Sequence, residues 1–153
     1  MHGPPVEVSM KARQVMTRDV QCVLPGTSLA EAWRIMHEHG MRHLPVVLEG
    51  KLVGMLSDRD FLGYVDKAAD GSLVFSDVPV AKVMSIEPIV AVDGAPVSEL
   101  ARTMISHGID SLPVVLESGV LVGLVTTTDL MVLLLEVREP LPVTYRIRPE
   151  ARA

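Results

Sequence analysis

The chain has 153 residues, 48% of them hydrophobic and 3% aromatic, with a formal net charge of −5 and a mean hydropathy of +0.34. That charge and the scarcity of aromatic rings leave little for phosphate steering or base stacking, which argues against nucleic acid as the main ligand; the longest apolar run, Leu130–Leu135, falls far short of the roughly 20 residues that span a bilayer. Neither end carries an export signal and Cys22 has no internal partner, so a cytoplasmic protein is expected, with apolar surface that favours oligomerisation.

Residues 1–9 are short and Pro-containing and read as a tail. Gln21–Leu24 then reads as a short strand and Pro25-Gly26 as a turn. Leu29, Ala32, Trp33 and Met36 follow at the spacing of an amphipathic helix. Thr27 or Ser28 is its cap; because Pro96 stands where Ser28 does in the second copy described below, and proline prefers the first helical position, Thr27 is the expected N-cap. Gly40 ends the helix, preceded by His39 in the last turn.

The runs His43–Glu49 and Lys51–Leu56, joined by a Gly-bearing turn, predict a hairpin too apolar for one face to be wet. A second helix is predicted from Asp58 to about Ala68, and Asp66–Val80, with Asp70-Gly71-Ser72 and Pro79, reads as a linker.

After Val83 the pattern restarts. Laying Val15–Glu49 over Val83–Glu117, sixty-eight residues later, gives identity at 14 of 35 positions, and one extra residue shifts the offset to 69, which puts Leu52, Val53, Gly54 and Asp60 on Leu121, Val122, Gly123 and Asp129. The second copy repeats the helix (Val97, Leu100, Ala101, Met104), its glycine (Gly108), the hairpin (Leu112–Glu117 and Val120–Val125) and a second helix, Thr127 to about Arg138. Pro140, Pro142 and an Arg-bearing tail belong to neither copy. The expected class is α/β (α+β): two strand-helix-strand-strand-helix repeats, 10–65 and 81–138, with a 66–80 linker and tails at 1–9 and 139–153. Each half is too small to bury a core alone, so the halves should pack on each other.

Chemistry-bearing residues cluster at the strand-to-helix junctions. Ser57-x-x-Asp60 and Thr126-x-x-Asp129 satisfy the capping-box pattern, yet each also brings a hydroxyl and the unpaired N–H groups of a helix N-terminus, which favours an anion, to one spot. Capping and ligand binding stay open together. The histidines of His37-Glu-His39-Gly-Met-Arg-His43 are not spaced as metal ligands on a helix face, and Met36 and Met104 read as packing. No activated nucleophile, Walker-type loop or paired acid–base carboxylates are present, so an enzyme is not expected.

Val15-Met-Thr17, Gly40–Val47 with its Leu-Pro-Val-Val, and Val53–Asp60 with its Val-Gly-φ-φ-Ser-x-x-Asp, matched by Val83–Ser85, Gly108–Val115 and Val122–Asp129, resemble the cystathionine-β-synthase (CBS) domain family in its tandem form, the Bateman module. The resemblance covers about 10–138. It implies a regulatory sensor rather than a catalyst, built as a pseudo-twofold pair with clefts between the repeats where AMP, ADP, ATP or S-adenosylmethionine binds. It also implies a homodimer, a protein partner regulated in trans, and no required cofactor. The alternative is a dimerisation or protein-interaction module with vestigial clefts.

Carried onto this chain, the resemblance puts ribose and phosphate at Ser57, Arg59, Asp60, Thr126, Thr128 and Asp129, and further phosphate contacts at Arg42 and His43. The adenine pocket is expected from Thr17, Val20, Pro45, Val46, Ser85, Ile89, Pro113 and Val114. Because Asp110-Ser111 and Thr128 stand in copy two where copy one has Arg42-His43 and Arg59, two unequal clefts are expected, one equipped for phosphate and one empty or suited to a neutral adenosyl group. Which aspartate shares a cleft with Arg42 is left open.

Overall fold

In the computed structural model, which describes residues 10–136, the elements are α1 (Ala12–Val15), α2 (Leu29–Glu38), β1 (His43–Leu48), β2 (Lys51–Ser57), β3 (Val65–Lys67), β4 (Leu73–Phe75), β5 (Ser85–Ile86), β6 (Ala91–Val92), α3 (Val97–His107), β7 (Ser111–Val115), β8 (Leu121–Thr126) and α4 (Thr127–Glu136). Single 3₁₀ turns lie at Asp58–Phe61 and Val80–Lys82. The tails and the last residues of the expected final helix lie outside the described residues.

Both predicted hairpins form, β1 with β2 and β7 with β8, in matching register: Leu44 opposes Leu56 and Leu112 opposes Val125. The first turns through Glu49 and Gly50, both at positive φ, the geometry that fits a tight turn to the twist of its strands. Equivalent register irregularities follow Val46 and Val114. Each hairpin packs an apolar face against the helix before it, so Leu29, Ala32, Met36, Leu44, Val46 and Leu56 form one core and Leu100, Met104, Leu112, Val114 and Val125 a second. The outer face of α2 is solvated; there Arg34 reaches Glu31 and Glu38, and its hydrogen bond holds the Glu31 carboxyl below the usual carboxylate range.

Three local expectations are corrected. The N-cap of α2 is Ser28, whose hydroxyl accepts from Glu31 N at 3.2 Å, while Thr27 Oγ1 accepts from Leu24 N. Pro96 is likewise the N-cap of α3, its φ of −63° paired with an extended ψ of 142°, so the two positions do correspond, one residue earlier than proline's usual place. Of Gln21–Leu24, only Val23 pairs, in a parallel bridge to Val46, whereas its counterpart becomes β6 beside β7.

The third correction is larger. The second helix of the first copy is a single 3₁₀ turn, after which the chain enters the β3–β4 pair, closed by Asp70-Gly71-Ser72 with the Asp70 carboxylate accepting from Ser72 N at 2.9 Å. Gly63 and the β-branched Val65 weaken helix continuation there, and Phe61 is held by Trp33 and Phe75. The stretch read as linker therefore contains β4, whereas the unbroken Leu130–Leu135 run sustains α4.

The repeats join about a pseudo-twofold axis. Leu52 N donates to Gly119 O and Leu121 N donates to Gly50 O, both at 3.1 Å, and these are equivalent residues at the 69-residue offset. The leading segments are exchanged across that axis. Residues 10–17, which head the first copy in sequence, lie on the second: Ala12 N donates to Ala95 O (2.8 Å), Thr17 exchanges backbone hydrogen bonds with Leu124 (2.9 and 3.0 Å), and Ala12 is wholly buried in the second core. Residues 79–86 complete the first repeat in return, with Val80 N donating to Thr27 O, Val80 inside the first core and β5 paired to β2.

Candidate functional site

Each strand-to-helix junction is organised by its aspartate. Asp60 Oδ2 accepts from Ser57 N at 2.7 Å, and Asp129 Oδ2 accepts from Thr126 N at 2.8 Å while Asp129 N donates to Thr126 Oγ1 at 3.2 Å. Capping is therefore real at both sites. It engages one carboxylate oxygen; Oδ1 of each aspartate makes no hydrogen bond among the described residues.

Where the repeats meet, a cleft of about 360 Å³ opens, lined by Met41, Arg42 and His43 from copy one and by Asp110, Ser111, Leu124 and Thr126–Thr128 from copy two. It adjoins a groove of about 280 Å³ lined by Thr17, Asp19, Val20, Gln21 and His39, the two sharing Met41 and Leu124. The exchange of leading segments builds this site: Thr17 is fixed to Leu124 on β8, and the chain then crosses through Val20 to reach the first sheet at Val23.

Among the sequence candidates, the structure thus brings together Arg42, His43, Thr126, Thr128, Thr17 and Val20. Asp129 does not itself line the cleft; it is hydrogen-bonded to Thr126, which does, and it lines a separate groove with Gln14 and Val15. Ser57, Arg59 and Asp60 do not line the cleft or its adjoining groove. Pro45, Val46, Pro113 and Val114 are buried in the cores, Ser85 is paired in β5 and Ile89 is exposed outside the cleft. Met41, Leu124, Thr127, Asp110 and Ser111 line the cleft without having been singled out as ligand contacts; the one signal was that Asp110-Ser111 replaces Arg42-His43 between copies.

The two pairs that differ between the copies, Arg42-His43 and Asp110-Ser111, are not divided between clefts. Both pairs line the same cleft, because equivalent loops meet at the axis: Asp58 N donates to Arg42 O and Thr127 N donates to Asp110 O, again related by the repeat. Arg42 Nε faces Asp58 Oδ2 at 3.5 Å and His43 Nε2 faces Asp110 Oδ1 at 3.4 Å. Of the cationic candidates, Arg42 and His43 thus each already face a carboxylate.

No group of three or more His, Cys, Asp or Glu side chains is placed to hold a metal among the described residues, and none of their helices is long and apolar enough to cross a membrane. His37 is turned to Trp33, its ring centroid 4.2 Å from the indole and Nδ1 3.1 Å from Trp33 O.

Comparison with known proteins gives matches across both repeats. The CBS domain family profile matches residues 12–67 and 80–136. The inosine-5'-monophosphate dehydrogenase of Korarchaeum cryptofilum is 40% identical over 119 residues, which is 78% of this chain and 23% of the dehydrogenase. The CBS domain-containing protein YhcV of Bacillus subtilis is 35% identical over 121 residues, 78% of this chain and 82% of its own length. The chain spans less than a quarter of that dehydrogenase and 44% of a further relative from Methanocaldococcus jannaschii, so the dehydrogenase match lies within a fraction of that enzyme.

Among solved structures, a CBS domain pair in complex with 5′-methylthioadenosine and S-adenosyl-L-methionine superposes with a TM-score of 0.68 at 26% identity, covering 82% of this chain and 95% of its own. The cytosolic domain of the Mg²⁺ channel MgtE in complex with ATP superposes with a TM-score of 0.67 at 28% identity, covering 80% of this chain and 48% of its own.

Proposed function

The chain belongs to the CBS domain family, and on that footing we propose that it is a non-catalytic regulatory module whose inter-repeat cleft takes an adenosine-containing ligand. The cleft lined by Arg42 and His43 of one repeat and Thr126–Thr128 of the other carries this reading, since a ligand there touches both repeats and biases how they pack. The ribose diol goes to the Asp129 carboxylate through the oxygen its cap leaves over, and the Thr126 and Thr128 hydroxyls meet the 5′ substituent. The base enters the adjoining groove against Val20, Met41 and Leu124. Relatives of the same fold crystallised with S-adenosyl-L-methionine or with ATP support the ligand class.

The test is a thermal-shift panel with AMP, ADP, ATP, S-adenosylmethionine and GTP as control. A ligand at about 100 times its dissociation constant adds about 2.7 kcal/mol, a rise of roughly 5–10 °C for a chain of this size. Asp129→Ala is expected to abolish the shift and Asp60→Ala to retain it, although each loses a cap worth about 1 kcal/mol. No shift with any adenosine compound would overturn the proposal.

The apolar surface of α4 favours association as a second property. Met131, Leu134 and Leu135 are 65%, 61% and 84% exposed on this helix, and the partner proposed for them is a second copy of the chain. Light scattering is expected to give a dimer, twice the 16.6 kDa chain mass, and Leu135→Glu to reduce it to the monomer. A monomeric wild type at tens of micromolar would refute this.

A further inference from the structure

Across the cleft and its adjoining groove, Arg42 is the one Lys or Arg among the lining residues, and it already faces Asp58. Against it stand two lining carboxylates, Asp110 and Asp19. Two histidines are also among the lining residues, His39 in the groove and His43 in the cleft; His43 is 28% exposed and faces Asp110, itself 49% exposed and therefore held in the open cleft rather than consumed in a core. The partial positive charge at the N-terminus of α4, which would otherwise welcome an anion, is answered by the chain's own Asp129 carboxylate at 2.8 Å from Thr126 N. Arg42 and Asp110 are equivalent positions of the two repeats, so the pseudo-twofold axis delivers a negative group to the place where a duplicated sequence would have delivered a second guanidinium.

We propose that Asp110 is a specificity-determining residue that excludes polyphosphates: the cleft selects adenosyl ligands whose 5′ substituent is neutral or cationic, such as a thioether or a sulfonium, over nucleoside di- and triphosphates. A carboxylate within several ångströms of a bound β- or γ-phosphate repels it with about tenfold loss of affinity at surface-like dielectric. The same carboxylate attracts a sulfonium or an ammonium. The preference is electrostatic and therefore narrows as salt rises. It rests on the adenosyl reading of the cleft, and the experiment separates the two.

Calorimetric titrations of wild type and Asp110→Asn with 5′-methylthioadenosine, S-adenosylmethionine and ATP make the test. The wild type is expected to bind the first two more tightly than ATP. Asp110→Asn, which keeps the size of the side chain and the Thr127 N–H to Asp110 carbonyl bond, is expected to strengthen ATP binding about tenfold, weaken S-adenosylmethionine, and leave the uncharged 5′-methylthioadenosine within about twofold. A uniform change for all three ligands indicates a structural role and overturns the selectivity. So does a wild type that prefers ATP, in which case the adenosyl site itself stands. Binding of none of the three overturns both.

Discussion

Replacing Phe61 with alanine is expected to destabilise the protein by about 3–5 kcal/mol, the largest effect foreseen for one side chain. Phe61 is 1% exposed and sits at the meeting point of α2 and β4, its ring centroid 5.0 Å from Trp33 in edge-to-face geometry and 6.0 Å from Phe75. Truncation removes the buried ring, leaves a cavity between two elements that are themselves tied into sheets and helices, and forfeits aromatic pairing worth about 0.5–1.5 kcal/mol. The 3₁₀ turn that carries Phe61 is four residues long and has no other apolar side chain to swing in. Against a typical total of 5–15 kcal/mol this is a large part of the fold.

Urea unfolding followed by far-UV circular dichroism gives the loss, and fluorescence of Trp33, the one tryptophan, reports whether the cluster has opened. Leu130 occupies the equivalent place in the second repeat and is only half-buried, so Leu130→Ala is expected to cost less, about 2 kcal/mol. Equal losses at the two positions would show that the aromatic cluster contributes nothing special to the first repeat.

Gly123→Ala is expected to cost about 1–3 kcal/mol and to loosen residues 10–17 in particular. A Cβ at Gly123 would run into Met16, with Sδ nearest and Cγ and Cβ only 2.7 and 2.9 Å away. Met16 belongs to the exchanged segment that ends at Thr17 in the candidate groove and packs against the second core, so the new methyl strains the seat of that segment. Hydrogen exchange should rise at the amides of Ala12 and Thr17, which donate across to Ala95 and Leu124, before it rises at the β7–β8 ladder. Met16→Ala in the same chain is expected to restore only part of the loss: it removes the clashing Sδ and Cγ but keeps the Cβ that lies 2.9 Å from the new methyl.

The equivalent Gly54→Ala meets Met84, but also the Ser85 carbonyl oxygen at 3.0 Å. Met84→Ala is therefore expected to rescue it only in part, since backbone cannot yield as a thioether does. Full rescue at both glycines would mean that β5 is not held against β2 as tightly as the pairing of Gly54 with Ile86 implies.

How much of this was legible beforehand depends on the range of the interaction. The hairpins followed from Val/Leu-rich runs broken by Gly50 and Gly119, and the helix ends from Gly40 and Gly108, which adopt the left-handed backbone that glycine tolerates. The aspartates of Ser57-x-x-Asp60 and Thr126-x-x-Asp129 are bonded as the capping pattern requires. Misreadings arose where two local preferences compete. Asp58–Ala68 lost its helix to the burial of Phe61 beside Trp33 and Phe75, and Gln21–Leu24 lost its strand to a chain that pairs only at Val23 before Pro25 turns it.

By itself the sequence determined the duplication, the two hairpins, the family and the capped junctions, since each rests on residues a few positions apart or on plain repetition. Only the tertiary structure decided that residues 10–17 pack on the second repeat and 79–86 on the first, that Arg42 shares its cleft with Thr126–Thr128 rather than with Ser57, Arg59 and Asp60, and that His43 meets Asp110. The physical reason lies in the duplication: two near-equivalent repeats offer each segment and each side chain two near-equivalent seats, and periodicity is blind to the choice. It is made by which linkers span the axis and by close contacts such as Met16 on Gly123, which exist only once the two halves are folded against each other.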